Sequence, residues 1–252
     1  MFLSTRLLRH SMSLAFLTAI AGNLNAQVTV VNAANFRPEV SPGSYATAFA
    51  ALPGVSAVQA SALPFPKSLG GVSVTVDGVE APIYFVNGSQ VNLLIPYRVQ
   101  PGLRPVQIKT ATSELNGSVR VLGTAPGIFV QDTATPPKGA ALNQDGSLNS
   151  SSNALPRGQA IQIYATGVGT LSATPEDGAA APASPIATSR STPQVFIGGV
   201  PATVLFSGLA PGFPGLWQVN ALVPNQSFLN GRVPVQLFLD GVDSNEVAIF
   251  VR

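Results

Sequence analysis

Short runs in which apolar and polar residues alternate recur along the chain. Val72, Val74 and Val76 alternate with Ser73 and Thr75, and Ile161, Ile163 and Ala165 form a second set. Val233, Val235, Leu237 and Leu239 make a third, and Val247, Ile249 and Val251 a fourth. A period of two puts successive side chains on opposite faces, so each run predicts a strand with one apolar face. Strands of this kind bury that face against a second sheet, as in a β-sandwich. Between the runs lie Asp77-Gly78, Gly198-Gly199 and Asp240-Gly241, which supply the positive φ of tight hairpins.

The pattern also repeats at long range. Gly78 matches Gly199, Ala81 matches Ala202, Gln90-Val91-Asn92 matches Gln218-Val219-Asn220, and Pro96 matches Pro224. Gly102 and Pro105-Val106-Gln107 then match Gly231 and Pro234-Val235-Gln236, and upstream Tyr45-Ala46-Thr47 matches Tyr164-Ala165-Thr166 more weakly. A period of about 120 residues is too long for a solenoid and fits a duplicated domain. Twelve positions separate Gly78 from Gln90 and nineteen separate Gly199 from Gln218, so the second copy holds seven extra residues, within 207–216. A length change of that kind belongs in a loop.

Three tracts break the alternation. Residues 51–70 mix Ala, Pro, Ser and Gly and predict a long edge loop with a short helix near 55–62. Residues 133–158 contain Pro136-Pro137 and Ser150 to Ser152 and predict the domain boundary, and 179–193 predict a third loop. The organisation expected is a leader over 1–26, a first β-sandwich unit over 27–132, a connector over 133–157 and a second unit over 158–252.

Composition supports the all-β reading. The 24 Gly and 22 Pro are spaced too closely for a helical protein, and 10% charged residues is well below the usual quarter. Arg6 and Arg9 precede the apolar run 12–21, and Asn-Leu-Asn-Ala precedes Gln27, the layout of a secretory signal. The run is short for a membrane span, although Leu24 is large for its place before the cut and an uncleaved anchor is the alternative. Arg6 and Arg9 are two of 13 basic residues, so removing the signal leaves 11 basic against 11 acidic. No basic run remains to follow a phosphate backbone, which disfavours nucleic-acid binding. Stable membrane insertion is not expected once the signal is gone.

Candidate chemistry is sparse. The chain has no cysteine, and its one histidine, His10, lies in the signal. Triads built on His, and zinc, iron or copper held by His or Cys, are therefore not available to the mature chain. No catalytic, metal or cofactor residues are nominated, and no cofactor is implied. Asn143, Asp145, Ser147 and Asn149 alternate around Gly146 and read either as a turn or as a calcium loop; one Asp without a closing Glu weighs towards the turn. Asp240, Asp243 and Glu246 read as a solvated hairpin end, with a metal site the lesser alternative, and adjacent Glu176 and Asp177 point apart. Gln90, Asn92, Gln218 and Asn220 read as structural amides or as a binding feature. The extra segment 208–217 brings Phe213, Leu216 and the single tryptophan, Trp217. These three are the candidate partner contacts, as an exposed tip meeting a protein or glycan; the alternative is that Trp217 enters the sandwich core and Phe213 caps its end.

With the motifs laid out, VVNAANF, SPGS, LGGVSVTVDGVEAPIYFV, QVNLLIP, APGIF, NQDGSLNS, IQIYATGVG, LAPGFPGLWQVNALVP and GVDSNEVAIFV occur in order from Val28 onward. This series resembles the uncharacterised Solibacter-type C-terminal domain family of the Acidobacteria. The second copy alone resembles the IPT/TIG immunoglobulin-like domain. The resemblance implies two tandem immunoglobulin-like sandwiches in an exported bacterial protein, used for adhesion, spacing or partner contact, with no catalytic residues to carry over. In that family the module usually ends a larger protein, whereas here the signal is expected to meet it directly. The expected function is a non-enzymatic cell-surface, periplasmic or secreted module whose partner is an extracellular protein or glycan. A carbohydrate-binding module using Phe213, Trp217 or Tyr97 is the rival, and a hydrolase the third reading.

Overall fold

The computed structural model describes residues 28–252, so the expected export signal over 1–26, with Arg6, Arg9 and His10, lies outside the described residues. Every regular element described is a strand. The first half carries β1 (Val28–Asn32), β2 (Glu39–Val40), β3 (Tyr45–Phe49), β4 (Val58–Gln59), β5 (Ser68–Leu69), β6 (Val72–Val76), β7 (Val79–Glu80), β8 (Ile83–Val86), β9 (Gln90–Leu94), β10 (Gly102–Lys109) and β11 (Glu114–Val121). The second half carries β12 (Gly127–Ile128), β13 (Ala141–Leu142), β14 (Ala160–Thr166), β15 (Gln194–Ile197), β16 (Val200–Ala202), β17 (Val204–Leu209), β18 (Trp217–Leu222), β19 (Gly231–Leu239), β20 (Val242–Asp243) and β21 (Val247–Val251).

In the first half the ladder runs β4-β8-β9-β3-β1-β11-β10-β6-β5. Strand β1 pairs antiparallel with β3 and then parallel with β11, which carries the ladder from one layer to the other. Val91 and Leu93 of one layer meet Val72, Val74, Val76, Val106 and Ile108 of the other in a single core. In the second half β12-β14-β18-β17 form one sheet and β16-β15-β19 the other, with β21 on β19. Ile161, Ile163, Trp217 and Val219 there face Val195, Ile197, Val235 and Leu237.

The two halves have one topology. Strands β3, β6, β8, β9, β10 and β11 correspond to β14, β15, β17, β18, β19 and β21, so the matched strings occupy equivalent strands. Placing the first, second, fifth and fourth strands in one sheet and the third, sixth and seventh in the other is the immunoglobulin arrangement. The protein is therefore all-β, two immunoglobulin-like sandwiches in tandem. The hairpin expectation is met at all three dipeptides, where φ is 53° and 74° at Asp77-Gly78, 60° and 76° at Gly198-Gly199, and 50° and 81° at Asp240-Gly241.

Two expectations are corrected. The tract 133–157 does not behave as a connector: β13 pairs with β14, Lys138 and Leu155 bridge to Ala248 and Val251, and Leu155 enters the second core. Its Pro and Asn residues interrupt a first strand that crosses between the two sheets, so its pieces are too short to show a period. The change of core falls instead between Val121, in the first, and Ile128, in the second. Residues 55–62 form no helix; Val58 and Gln59 pair with Val86 and Phe85 on the sheet edge, flanked by Pro53, Gly54 and Pro64, which break helices.

Candidate functional site

The inserted segment turns its apolar side chains inward and leaves only Pro211 and Gly212 exposed at its tip. Strand β18 begins at Trp217, whose side chain is fully buried in the second core while Nε1 donates to Ser207 Oγ at 2.9 Å. Leu216, also buried, joins Phe213 in a third apolar cluster that contains Tyr45, Phe65, Tyr84 and Leu94 from the first unit and Phe129, Ala140 and Ala210 from the second. Trp217 and Leu216 thus have no surface to offer a partner, and for these two the exposed-tip reading is corrected, while Phe213 is half-buried. The core reading of Trp217 agrees with its position, while Leu216 and Phe213 pack against the opposite sandwich. Gly215 permits this approach: its φ is 59°, and a Cβ there would come within 2.7 Å of the Gly43 carbonyl oxygen and 2.9 Å of Leu94.

Tyr45 lies at the centre of the junction. At the start of β3, its ring faces away from the first core and is 1% exposed, in edge contact with Phe129 at 5.9 Å and Tyr84 at 6.4 Å. Its phenol donates to the Pro214 carbonyl at 2.7 Å and its backbone N–H to Thr166 Oγ1 at 2.8 Å. Burial pushes this phenol far above its usual pKa, with Tyr84 and Tyr97 adding to the effect. Tyr164, its counterpart in the repeat, packs against the same cluster. Polar bonds surround the apolar centre: Phe65 N–H donates to Gly178 O at 2.9 Å, Tyr97 N–H to Asp177 Oδ1 at 2.9 Å, and Ala125 N–H to Gly167 O at 2.9 Å. A Cβ on Gly167 would collide with the Ala125 carbonyl.

At one flank Arg37 reaches across to β20. Its guanidinium donates to the Asp243 carbonyl at 2.7 Å and to Asp243 Oδ2 at 3.1 Å, and this bond holds the Asp243 carboxyl below the usual carboxylate range. Beside the pair opens a cleft of about 420 Å³ lined by residues of both units, among them Asn35, Glu39, Arg120 and Pro126.

The other candidates serve the scaffold. Gln90 donates to Asn92 Oδ1 at 3.2 Å and Gln218 to Asn220 Oδ1 at 2.9 Å, the same bond in both copies. Asn149 is buried and exchanges two hydrogen bonds with Phe250 of β21, while Asp145 Oδ1 accepts from Ser147, so the loop oxygens named in the calcium reading are engaged within the chain. Among the described residues no three His, Cys, Asp or Glu gather as a metal site. Among them, too, no helix is long and apolar enough to cross a membrane, which leaves β-barrels unaddressed. Sequence reasoning missed Tyr45, Arg37 and Asp177 as junction residues; the weak Tyr-Ala-Thr repeat was a signal for Tyr45 alone, and nothing local marked the other two.

No family model and no curated protein matches the chain. Among solved structures it is similar to the plexin A4 full extracellular region, with 12% identity over 94% of this chain and 19% of that one, at a TM-score of 0.30. It is also similar to SGBP-B from a complex xyloglucan utilization locus in Bacteroides uniformis, with 10% identity over 90% of this chain and 48% of that one, at 0.27. Titin A168-A169 gives 12% identity over 85% of this chain and 93% of that one, at 0.25. The chain spans less than half the length of the first two. At these scores the immunoglobulin-like assignment stands on strand order and pairing alone.

Proposed function

We propose that the chain is an exported, non-enzymatic module that holds two immunoglobulin-like sandwiches in one fixed orientation, as a rigid structural or adhesive element at the cell surface or outside the cell. The observation carrying this reading is the buried junction around Tyr45, closed by a segment present only in the second copy. A flexible tandem would need a short polar linker and little shared core. Here Phe65, Tyr84 and Leu94 share a core with Phe129, Ala210 and Leu216. The resemblance of the ordered motifs to the Solibacter-type family and of the second copy to the IPT/TIG domain supports the same assignment, as does the signal-like segment over 1–26. The carboxylates Asp177 and Asp243 are engaged at the junction, which supports a structural role for these two.

Calorimetry tests the reading. Both sandwiches are expected to unfold in one cooperative transition, since neither keeps its junction face dry alone. Two separated transitions, with the first unaffected by changes in the second unit, contradict it. Export is tested by fractionating bacteria that express the full sequence: the protein is expected outside the cytoplasm, beginning at Gln27.

A further inference from the structure

The cleft beside the Arg37–Asp243 pair contains unspent hydrogen-bonding capacity. Most polar groups lining it are already committed. Asn32 donates to Ala125 O, Asn35 donates to Pro126 O and accepts from Arg37 N–H, and Arg37 is held by Asp243 and the Ser244 carbonyl. Glu39 and Arg120 are different. They are Cα partners on adjacent parallel strands and line the same cleft, yet neither side chain makes a hydrogen bond or ion pair among the described residues. A carboxylate with only acceptors and a guanidinium with only donors stand side by side, both facing a cavity.

We infer that this cleft is a binding site for a neutral saccharide. One hydroxyl of a vicinal diol accepts from Arg120 while its neighbour donates to Glu39, which satisfies both groups without adding charge. The lining carries two arginines and two carboxylates, so its net charge is zero and it favours no ligand of either sign. Its volume of about 420 Å³ lies within the roughly 300–1,000 Å³ of small-ligand sites. Leu103, 74% exposed and the Cα partner of Arg120 on β10, extends the row with an apolar surface for a sugar face. Residues of both units line it, so the inference rests on the fixed junction; the calorimetric test of that junction distinguishes its failure from failure of the site.

Amide chemical shifts of the isotope-labelled protein test this with maltose, cellobiose and N,N′-diacetylchitobiose, and with glycylglycine as a zwitterion. At least one disaccharide is expected to shift amides of 35–39, 120–125 and 242–244, unaffected by added salt. Arg120→Ala and Glu39→Gln should each weaken that binding by about tenfold or more, the loss of one charge-assisted hydrogen bond. Arg120 is exposed and Glu39 half-buried, so the remaining spectrum should stay unchanged. Silence with all three disaccharides, binding indifferent to both substitutions, or a response to glycylglycine alone overturns the inference.

Discussion

Tyr45 ties the two sandwiches through one hydroxyl, one backbone N–H and a buried ring. Tyr45→Phe keeps the ring and leaves the Pro214 carbonyl without its partner, so the expected loss is about 1–2 kcal/mol in urea unfolding. Because burial raises this phenol above its usual 10.0, the neutral form is favoured in the fold. Its stabilising contribution is complete below pH 10 and is lost as pH rises beyond that, and Tyr45→Phe should shallow this alkaline loss. Asp243 has the opposite sign. Its folded pKa is depressed, so its contribution is complete above the ordinary carboxyl value of 3.8 and is lost as pH falls below it. Asp145 titrates in the same acid window, so the difference between the wild type and Asp243→Asn isolates the Arg37 pair. Equal acid unfolding curves for the two would show that the pair contributes nothing.

At the scale of elements, the segment 208–216 is the difference between the copies that has a structural consequence. Replacing the part beyond β17, residues 210–216, with a shorter turn copied from the equivalent place in the first unit should leave both sandwiches folded and free the junction, seen as a larger radius of gyration in solution scattering. Unchanged scattering would show that the segment is dispensable. Strands such as β6 and β19 were legible because one face is buried and the other is not, giving alternation over all five residues of β6 and over the seven from Val233 to Leu239 in β19. The first strand of the second unit was not legible: β12 and β13 have two residues each, and their partners lie in β14, more than 15 residues on. Trp217 fitted the period of β18, so its burial was readable, but Phe213 clusters with Tyr45, Phe65, Tyr84 and Leu94 of the first unit, each more than 100 positions away. A contact of that range leaves no local pattern.

For the whole molecule, the duplicated topology supplies two stable sandwiches, and the junction decides whether they act as one body. A single body would present the cleft at Arg37 and Arg120 with constant shape, because residues of both units line it. The chain has no cysteine, so paired labels can be introduced without background. Thr112 in the first unit and Ser227 in the second are both exposed. The most direct measurement is the distribution of distances between nitroxides at Thr112→Cys and Ser227→Cys, by double electron–electron resonance. One narrow population, broadened when Tyr45→Ala is added, is the result expected. A distribution already broad or bimodal in the otherwise unaltered protein would contradict the fixed junction.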